Sequence, residues 1–569
     1  MKKLLSFLLV LAMLFSLAAC GAGNGPVETD PPTPNENKNP GNANDGEAAG
    51  SEDDEEAIMM AQWHQGIGID TVFENPWLDL QSLIPFMLYD SLIVQNADGT
   101  YENKLASNYS VSGDGKTYTF TIREDAVWSD GTPVTTEDIV WSLNACVGSA
   151  SSYCAPLGKI LGYADVASGK ATEMSGISVE GNNVILNLAS PDRGLLYGLA
   201  VVKILPAHLL KNVAYADITT YEPFWSNPVT CGQYVIEEVS FPDYVILTAN
   251  AKYYGEQPGI PKVLFTNYAA GGNDAVVAAL IAGNLDFAWK NALNDIEVAN
   301  NVTSQNSDIT AQLVPSFYTR SFAFNCSYRA DGKLKEDLKN PVVRQAFDMI
   351  FDKNAIASFY TGQAVGLSTF VNPVSDLYND DIPLPEQDID GAVALLKSVN
   401  YDFSQVIDIC HYYDDQTTLD VMALIKQDFA KAGITVETHL LTGDLNALLN
   451  VDRNYDLSYG GDSGAVDPLT MYESQLSTNA NTIGLEEERA KAIDPFYDAY
   501  ITCMDDADAK EAGDALQVAA REAAFKIPAY SLNSMYYYNS SRVSIPEPIF
   551  EIDSETGRNW LFEDWSLIG

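Results

Sequence analysis

Basic residues are scarce in this chain: 32 Lys and Arg stand against 78 Asp and Glu, and histidine occurs only 4 times. A surface carrying a net −46 repels phosphate backbones and anionic headgroups, so nucleic acid is excluded as an expected partner. Cysteine is sparse as well, 7 in 569 residues, with no CxxC pair and no Cys/His spacing of a structural metal. Neither a metal nor another cofactor is expected. Beyond Ala19 there is no apolar stretch of membrane-spanning length, no heptad and no internal repeat, which argues against a membrane bundle, a coiled coil or a solenoid. Apolar residues are nonetheless plentiful, 46% hydrophobic and 11% aromatic, enough to build several cores.

The first residues form an address. Lys2 and Lys3 precede an apolar run from Leu4 to Ala19, too short to span hydrocarbon as a helix, and this reads as an export signal over residues 1–19. Leu17-Ala18-Ala19-Cys20-Gly21 resembles the lipobox of bacterial lipoproteins, which implies cleavage before Cys20 and a diacylglycerol on its thiol. Residues 20–57 are then a lipidated Cys and an acidic, polar tether of Gly, Pro, Asn, Asp, Glu and Ala that cannot bury a core. The remaining body, residues 58–569, still carries −39 of the net charge. Of the other cysteines only Cys146 and Cys154 are close in sequence; a bridge or two buried thiols are both compatible with an exported chain.

The body has the length of two or three mixed domains. Tyr118–Ile122 alternates as a half-buried strand, and Thr135 with Asp138 forms a capping box opening a helix through Leu143. Asp243–Ala249 reads as a strand and Asp274–Ile281 as a helix closed by Gly283, with an extended return over Asn284–Trp289. Val406–Tyr412, Leu419–Ala432 with Gly433 as its stop, and Ile434–Leu440 make a βαβ unit. The fold class expected is α/β, with ligand loops beyond the carboxyl ends of the parallel strands.

The stretch from Leu105 to Leu143, LASNYSVSGDGKTYTFTIREDAVWSDGTPVTTEDIVWSL, resembles the signature of the family 5 extracellular solute-binding proteins, the peptide-binding components of ABC importers. Further blocks agree in order, among them ILPAHLL (204–210), AALIAGNLDFAW (278–289), VVRQAFDMIFDKNAI (342–356), KAGITVE (431–437) and YDLSYGG (455–461), covering about Ile67 to Val543. Thr230-Cys231-Gly232-Gln233-Tyr234 departs from the family's usual Gly-Thr-Gly-Pro-Tyr, a changed loop. The resemblance implies a two-lobed periplasmic-binding-protein-like fold of type II, hinged around a central cleft, with an extra subdomain in the first lobe. Lobe one would hold 58–313 and a C-terminal return over 531–569, and lobe two 314–530. It further implies a monomeric receptor, not an enzyme, that closes on a peptide or other small solute and delivers it to an ABC permease. Held to the bilayer through Cys20, it would sit on the extracytoplasmic face of the cell membrane.

The resemblance also implies site residues. A peptide's α-ammonium needs a carboxylate when the lobes shut, and Tyr459-Gly460-Gly461-Asp462 stands where the family has Gly-Trp-x-x-Asp. Asp462 is therefore expected to meet the amine and Tyr459 to pack on the ligand's first residue. Asn325, ending Phe322-Ala323-Phe324-Asn325, would lie beside the cleft, and Trp289 would line it. Nickel chelates, oligosaccharides and other cationic solutes are the alternative ligands. Two motifs are decoys. Gly113-Asp114-Gly115-Lys116-Thr117 imitates a P-loop but Ser110 replaces the first glycine. Gly461-Asp462-Ser463-Gly464 imitates a chymotrypsin-like nucleophile segment, yet Ala465 follows and no His or Asp motif accompanies Ser463.

Overall fold

In the computed structural model, residues 57–62, 84–96, 100–240, 242–289, 295–360, 362–462, 467–477, 491–545 and 564–568 are described. Two large sheets carry the two lobes. The first has the order Ile309–Val314, Ser534–Asn539, Phe287–Trp289, Ala57–Gln62, Lys262–Asn267, Tyr244–Ala249, Tyr234–Ser240. The second runs Ala364–Gly366, Lys526–Leu532, Thr319–Phe324, Leu457–Asp462, Val406–His411, Thr435–Leu440. Between the central strand Ala57–Gln62 and the edge strand Tyr234–Ser240 of the first sheet the chain builds a subdomain on a four-stranded antiparallel sheet, Ala106–Val111, Thr117–Ile122, Asn183–Asn187 and Ile177–Glu180. The false P-loop is the turn of its first hairpin, where Ser112 Oγ donates to Asp114 and Gly115 takes a positive φ of 67°.

Local chemistry explains the elements. The helix Thr136–Gly148 starts at the expected box, Thr135 N–H donating to Asp138 Oδ2 at 2.8 Å. The βαβ unit is present: Val406–His411 pairs in parallel with Thr435–Leu440 across the helix Gln416–Lys431. That helix begins three residues before Leu419 because the Asp415 carboxylate accepts the Thr418 N–H, a cap lying ahead of the first apolar residue. Its Val421, Met422, Ile425 and Phe429 recur at helical spacing and bury against the sheet. Phe322 stacks on Phe351 there, and Phe347 and Phe351 meet Phe429 edge-on, with centroids 4.5 to 5.3 Å apart; truncating one of them to Ala costs about 3–5 kcal/mol.

The chain changes sheets after Val314 and again at Asn533, between the strands Lys526–Leu532 and Ser534–Asn539. The two crossings run side by side and are stitched by side chains. Ser316 Oγ donates to Leu532 O at 2.6 Å, Ser531 Oγ donates to Ser316 O at 2.6 Å, and Leu532 N–H donates to Tyr318 O at 3.0 Å. Ser316 and Ser531 are fully buried, so these bonds are not exchanged with water. Cys146 and Cys154 are free and buried, Cys154 donating to Ser151 O, which resolves that pair in favour of thiols.

Candidate functional site

The lobe-two sheet turns toward the crossings the carboxyl ends of its parallel strands, the edge at which open α/β sheets take ligands. Val406–His411 runs out there into Tyr412 and Tyr413, and Leu457–Asp462 ends there on Asp462. Thr319–Phe324 runs antiparallel to the latter and so begins there, directly after Tyr318.

Asp462 is partly buried and already engaged. Its Oδ1 lies 2.6 Å from Lys526 Nζ, and its Oδ2 accepts the Ser321 hydroxyl at 2.6 Å. It does not cap the next helix. Asp467 does, accepting the Leu469 N–H at 3.0 Å and the Tyr500 hydroxyl at 2.6 Å, and burial pushes its carboxyl up. Ser463 and its neighbours 464–466 lie outside the described residues.

Tyr459, expected to pack on a ligand, has no exposed surface. Alternation turns residues 457 and 459 toward the core, where the ring meets Phe322 at 5.0 Å and the hydroxyl bonds Tyr530, which donates onward to Tyr360. Asn325, expected beside the cleft, is fully buried at the end of its strand remote from the crossing. Its Nδ2 donates to the carbonyls of Tyr328, Arg453 and Tyr455, and its N–H to Asp456 O. Every donor it has is spent on holding lobe two together. Trp289 closes the lobe-one strand Phe287–Trp289 and pairs with Tyr536; its side chain lies outside the described residues, as does Cys20.

On the Tyr459 face of the sheet, opposite to Asp462, lies a cluster that the sequence reading did not assemble. Arg320 opposes Gly461, and its guanidinium carbon sits 3.5 Å from the Tyr413 ring centroid and 4.9 Å from that of Tyr318. The hydroxyls of Tyr318 and Tyr413 are 2.8 Å apart, Tyr413 donates to Tyr412 at 3.2 Å, and Gly461 N–H donates to Tyr412 at 3.0 Å. Burial pushes the Tyr412 and Tyr413 hydroxyls up, so both stay neutral donors. The only hint in sequence was a Tyr pair following a strand that reads as parallel.

The lobes also meet at the subdomain. Arg193 N–H donates to Ile501 O at 2.8 Å, its Nη1 donates to Cys503 O at 3.0 Å, and its Nη2 reaches Asp506 at 3.1 Å. Beside it Tyr118 Oη donates to Asp192 O. A group from lobe one thus closes over the turn between two lobe-two helices, Asp494–Ile501 and Asp506–Ala523.

With two hinged sheets and an engaged acid at a strand's carboxyl end in view, comparison with known proteins decides the family. The model of the bacterial extracellular solute-binding proteins, family 5 Middle, matches residues 100–482. The chain belongs to this family. It is 27% identical over 358 residues to a Brucella ovis protein provisionally named as an ABC transporter peptide-binding protein, with 62% of each chain covered. It is 25% identical over 360 residues to the oligopeptide-binding protein OppA of Lactococcus lactis, covering 59% of this chain and 57% of that one. The chain thus spans about three fifths of the length of these curated relatives. The ABC transporter substrate-binding protein CtaP of Listeria monocytogenes has a similar fold, with a TM-score of 0.73 at 19% identity, covering 90% of this chain and 99% of that one. Lactococcal OppA, closed on an endogenous peptide, gives a TM-score of 0.68 at 17% identity over 88% and 99% of the two chains. The chain is thus a member of the extracellular solute-binding proteins of family 5, with the α/β two-lobed fold of its class.

Proposed function

We propose that this protein is the lipid-anchored receptor of an ABC importer that captures peptides between its lobes and presents them, closed, to a membrane permease. The observation that carries the peptide reading is Asp462, a carboxylate at the carboxyl end of a lobe-two strand beside the crossings, in a chain whose curated relatives are named for peptide binding. A carboxylate accepts several hydrogen bonds, so Asp462 can take a peptide ammonium in addition to Ser321 and Lys526. Closure then buries the ammonium against its acceptor, and the difference in affinity between open and closed forms drives the motion. Tyr459 supports this edge from the core, Asn325 holds the far end of the neighbouring strand, and Trp289 ends a lobe-one strand paired with Ser534–Asn539.

Native mass spectrometry of gently purified protein tests the reading: co-purified peptides are expected, and Asp462→Ala is expected to lose them. A non-peptide solute, a metal chelate or an oligosaccharide, is the second reading, favoured by the Lys526 ammonium that already neutralises Asp462. A saccharide or chelate in the spectrum would replace the peptide reading and leave the receptor role standing. Anchoring is tested separately, since Cys20→Ser should release the mature chain from the membrane fraction.

A further inference from the structure

We propose that Lys526 is a specificity-determining residue: its ammonium occupies Asp462 as an internal rival of the solute's own ammonium and so weakens the preference for a charged over an acylated amine. This rests on the reading of Asp462 as the ammonium acceptor and adds what limits that acceptor.

The path of the side chain comes first. Lys526 opens the strand Lys526–Leu532 and Asp462 closes Leu457–Asp462, with Thr319–Phe324 lying between the two. To bring Nζ within 2.6 Å of Oδ1, the lysine stem crosses that middle strand. Ala323 stands opposite Lys526, and Ser321 comes next on the same face and donates to Asp462 Oδ2. Small side chains there leave the stem its passage.

The pair is not built as a structural bridge, which in a protein interior satisfies its remaining protons as well as its charge. Lys353, 1% exposed, pairs with Asp348 at 2.9 Å and also donates to Leu367 O, and Arg329 meets Asp331, Asp408 and Asp456. Lys526 differs. Asp462 is the one partner its ammonium has among the described residues, and the two side chains keep 12% and 20% of their surface exposed. Each oxygen of Asp462 takes one side-chain donor, so lone pairs remain for a third. The acid is open to a solute but already neutralised.

Charge then decides what the opening prefers. A solute ammonium that joins this site puts a second cation on one carboxylate, a few ångströms from Lys526, and the repulsion offsets part of what the acid contributes. The surroundings do not restore a negative charge: Arg521 and Asp348 line a cavity with Lys526, and Asp348 is itself paired with Lys353. Lys526 is also tethered, so its hold on the acid does not fall with dilution as a free solute's does. An acylated terminus brings an N–H donor without the charge and meets no repulsion. The lysine therefore narrows the gap between the two kinds of solute.

Calorimetry of the full chain with Ala-Ala-Ala and N-acetyl-Ala-Ala-Ala tests the assignment. Wild type should prefer the free amine by less than about tenfold, whereas K526M should bind it about 10- to 100-fold more tightly than wild type does and leave the acetylated peptide unchanged. K526Q, which keeps a polar end without the charge, carries the comparison if K526M does not fold. A wild-type preference of about a hundredfold or more, a free-amine affinity that does not rise in the variants, or an equal rise for both peptides overturns the proposal. Methylammonium chloride against sodium chloride at matched ionic strength separates this from the peptide reading. If neither tripeptide binds any of these proteins, the peptide reading fails. A methylammonium-induced rise in melting midpoint in K526M that wild type and K526M/D462N lack then upholds Lys526 as the rival cation, and an equal response in all three removes it.

Discussion

Closure of the receptor should depend on Arg193, and the structure sets the size of the effect. Replacing it with Ala removes the charged bond to Cys503 O at 3.0 Å and the pair with Asp506, while the main-chain bond to Ile501 O remains. A hydrogen bond from a charged donor contributes about 1.5–3 kcal/mol when its site is shielded, and the Arg193 side chain is only 20% exposed. The Asp506 carboxylate is 95% exposed, so that pair contributes least. R193A should therefore cost the closed form about 2 kcal/mol, or roughly 30-fold in the ratio of open to closed. Small-angle scattering with saturating peptide should show a larger radius of gyration than wild type, and calorimetry a dissociation constant raised by up to the same factor. D506A, which keeps the Cys503 bond, should behave nearly as wild type. An R193A variant that compacts and binds as wild type does would refute the idea that this contact holds the lobes together, as would a D506A variant as impaired as R193A.

Asp192, next to that contact, should make stability depend on pH. Burial pushes its carboxyl up to about 6 against the Gly194 N–H bond and Lys159, with Glu473 of lobe two adding to the rise. The folded protein then holds a proton between the ordinary 3.8 and about 6 that the unfolded chain has released, so stability falls as pH rises through that window and is level above it. The loss is about 3 kcal/mol, and D192N should remove it from a plot of melting midpoint against pH; parallel plots for the two proteins would refute the assignment. Gly461→Ala should disturb the tyrosine cluster, because a Cβ there overlaps the Tyr318 hydroxyl and comes within 2.8 Å of the Tyr413 hydroxyl. About 1–3 kcal/mol of stability should be lost, read as a lower melting midpoint, and an unchanged midpoint would refute the overlap.

Periodicity and caps made the scaffold readable. The βαβ unit, the capping box at Thr135 and the helix stop at Gly283, with its φ of 74°, follow from chemistry within a few residues. The helix starts at Gln416, ahead of the first apolar residue Leu419, because the polar capping residue Asp415 precedes the apolar period. The site was less legible, for a topological reason. Arg320, Tyr412 and Gly461 come from strands that are neighbours only because Leu457–Asp462 pairs with both Thr319–Phe324 and Val406–His411, an order set by two long connections. Tyr459 shows the matching limit. Resemblance located the segment, but only the strand's register reveals that its odd positions enter the core while Asp462 faces the other way.

The paired crossings have a consequence for how such a receptor adapts. Two segments joined by Ser316 and Ser531 let the halves swing chiefly about one axis, which runs along main chain at Ser316, Tyr318 and Leu532 and leaves Asp462 on a neighbouring strand. Substitutions at those serines would alter how often the empty molecule visits its shut form, and hence the strength of its grip. What it prefers to grip would stay the same. Affinity and selectivity can drift independently, so a lineage could retune its uptake threshold for scarce or abundant nutrients by a hydroxyl whose bonds go to the main chain.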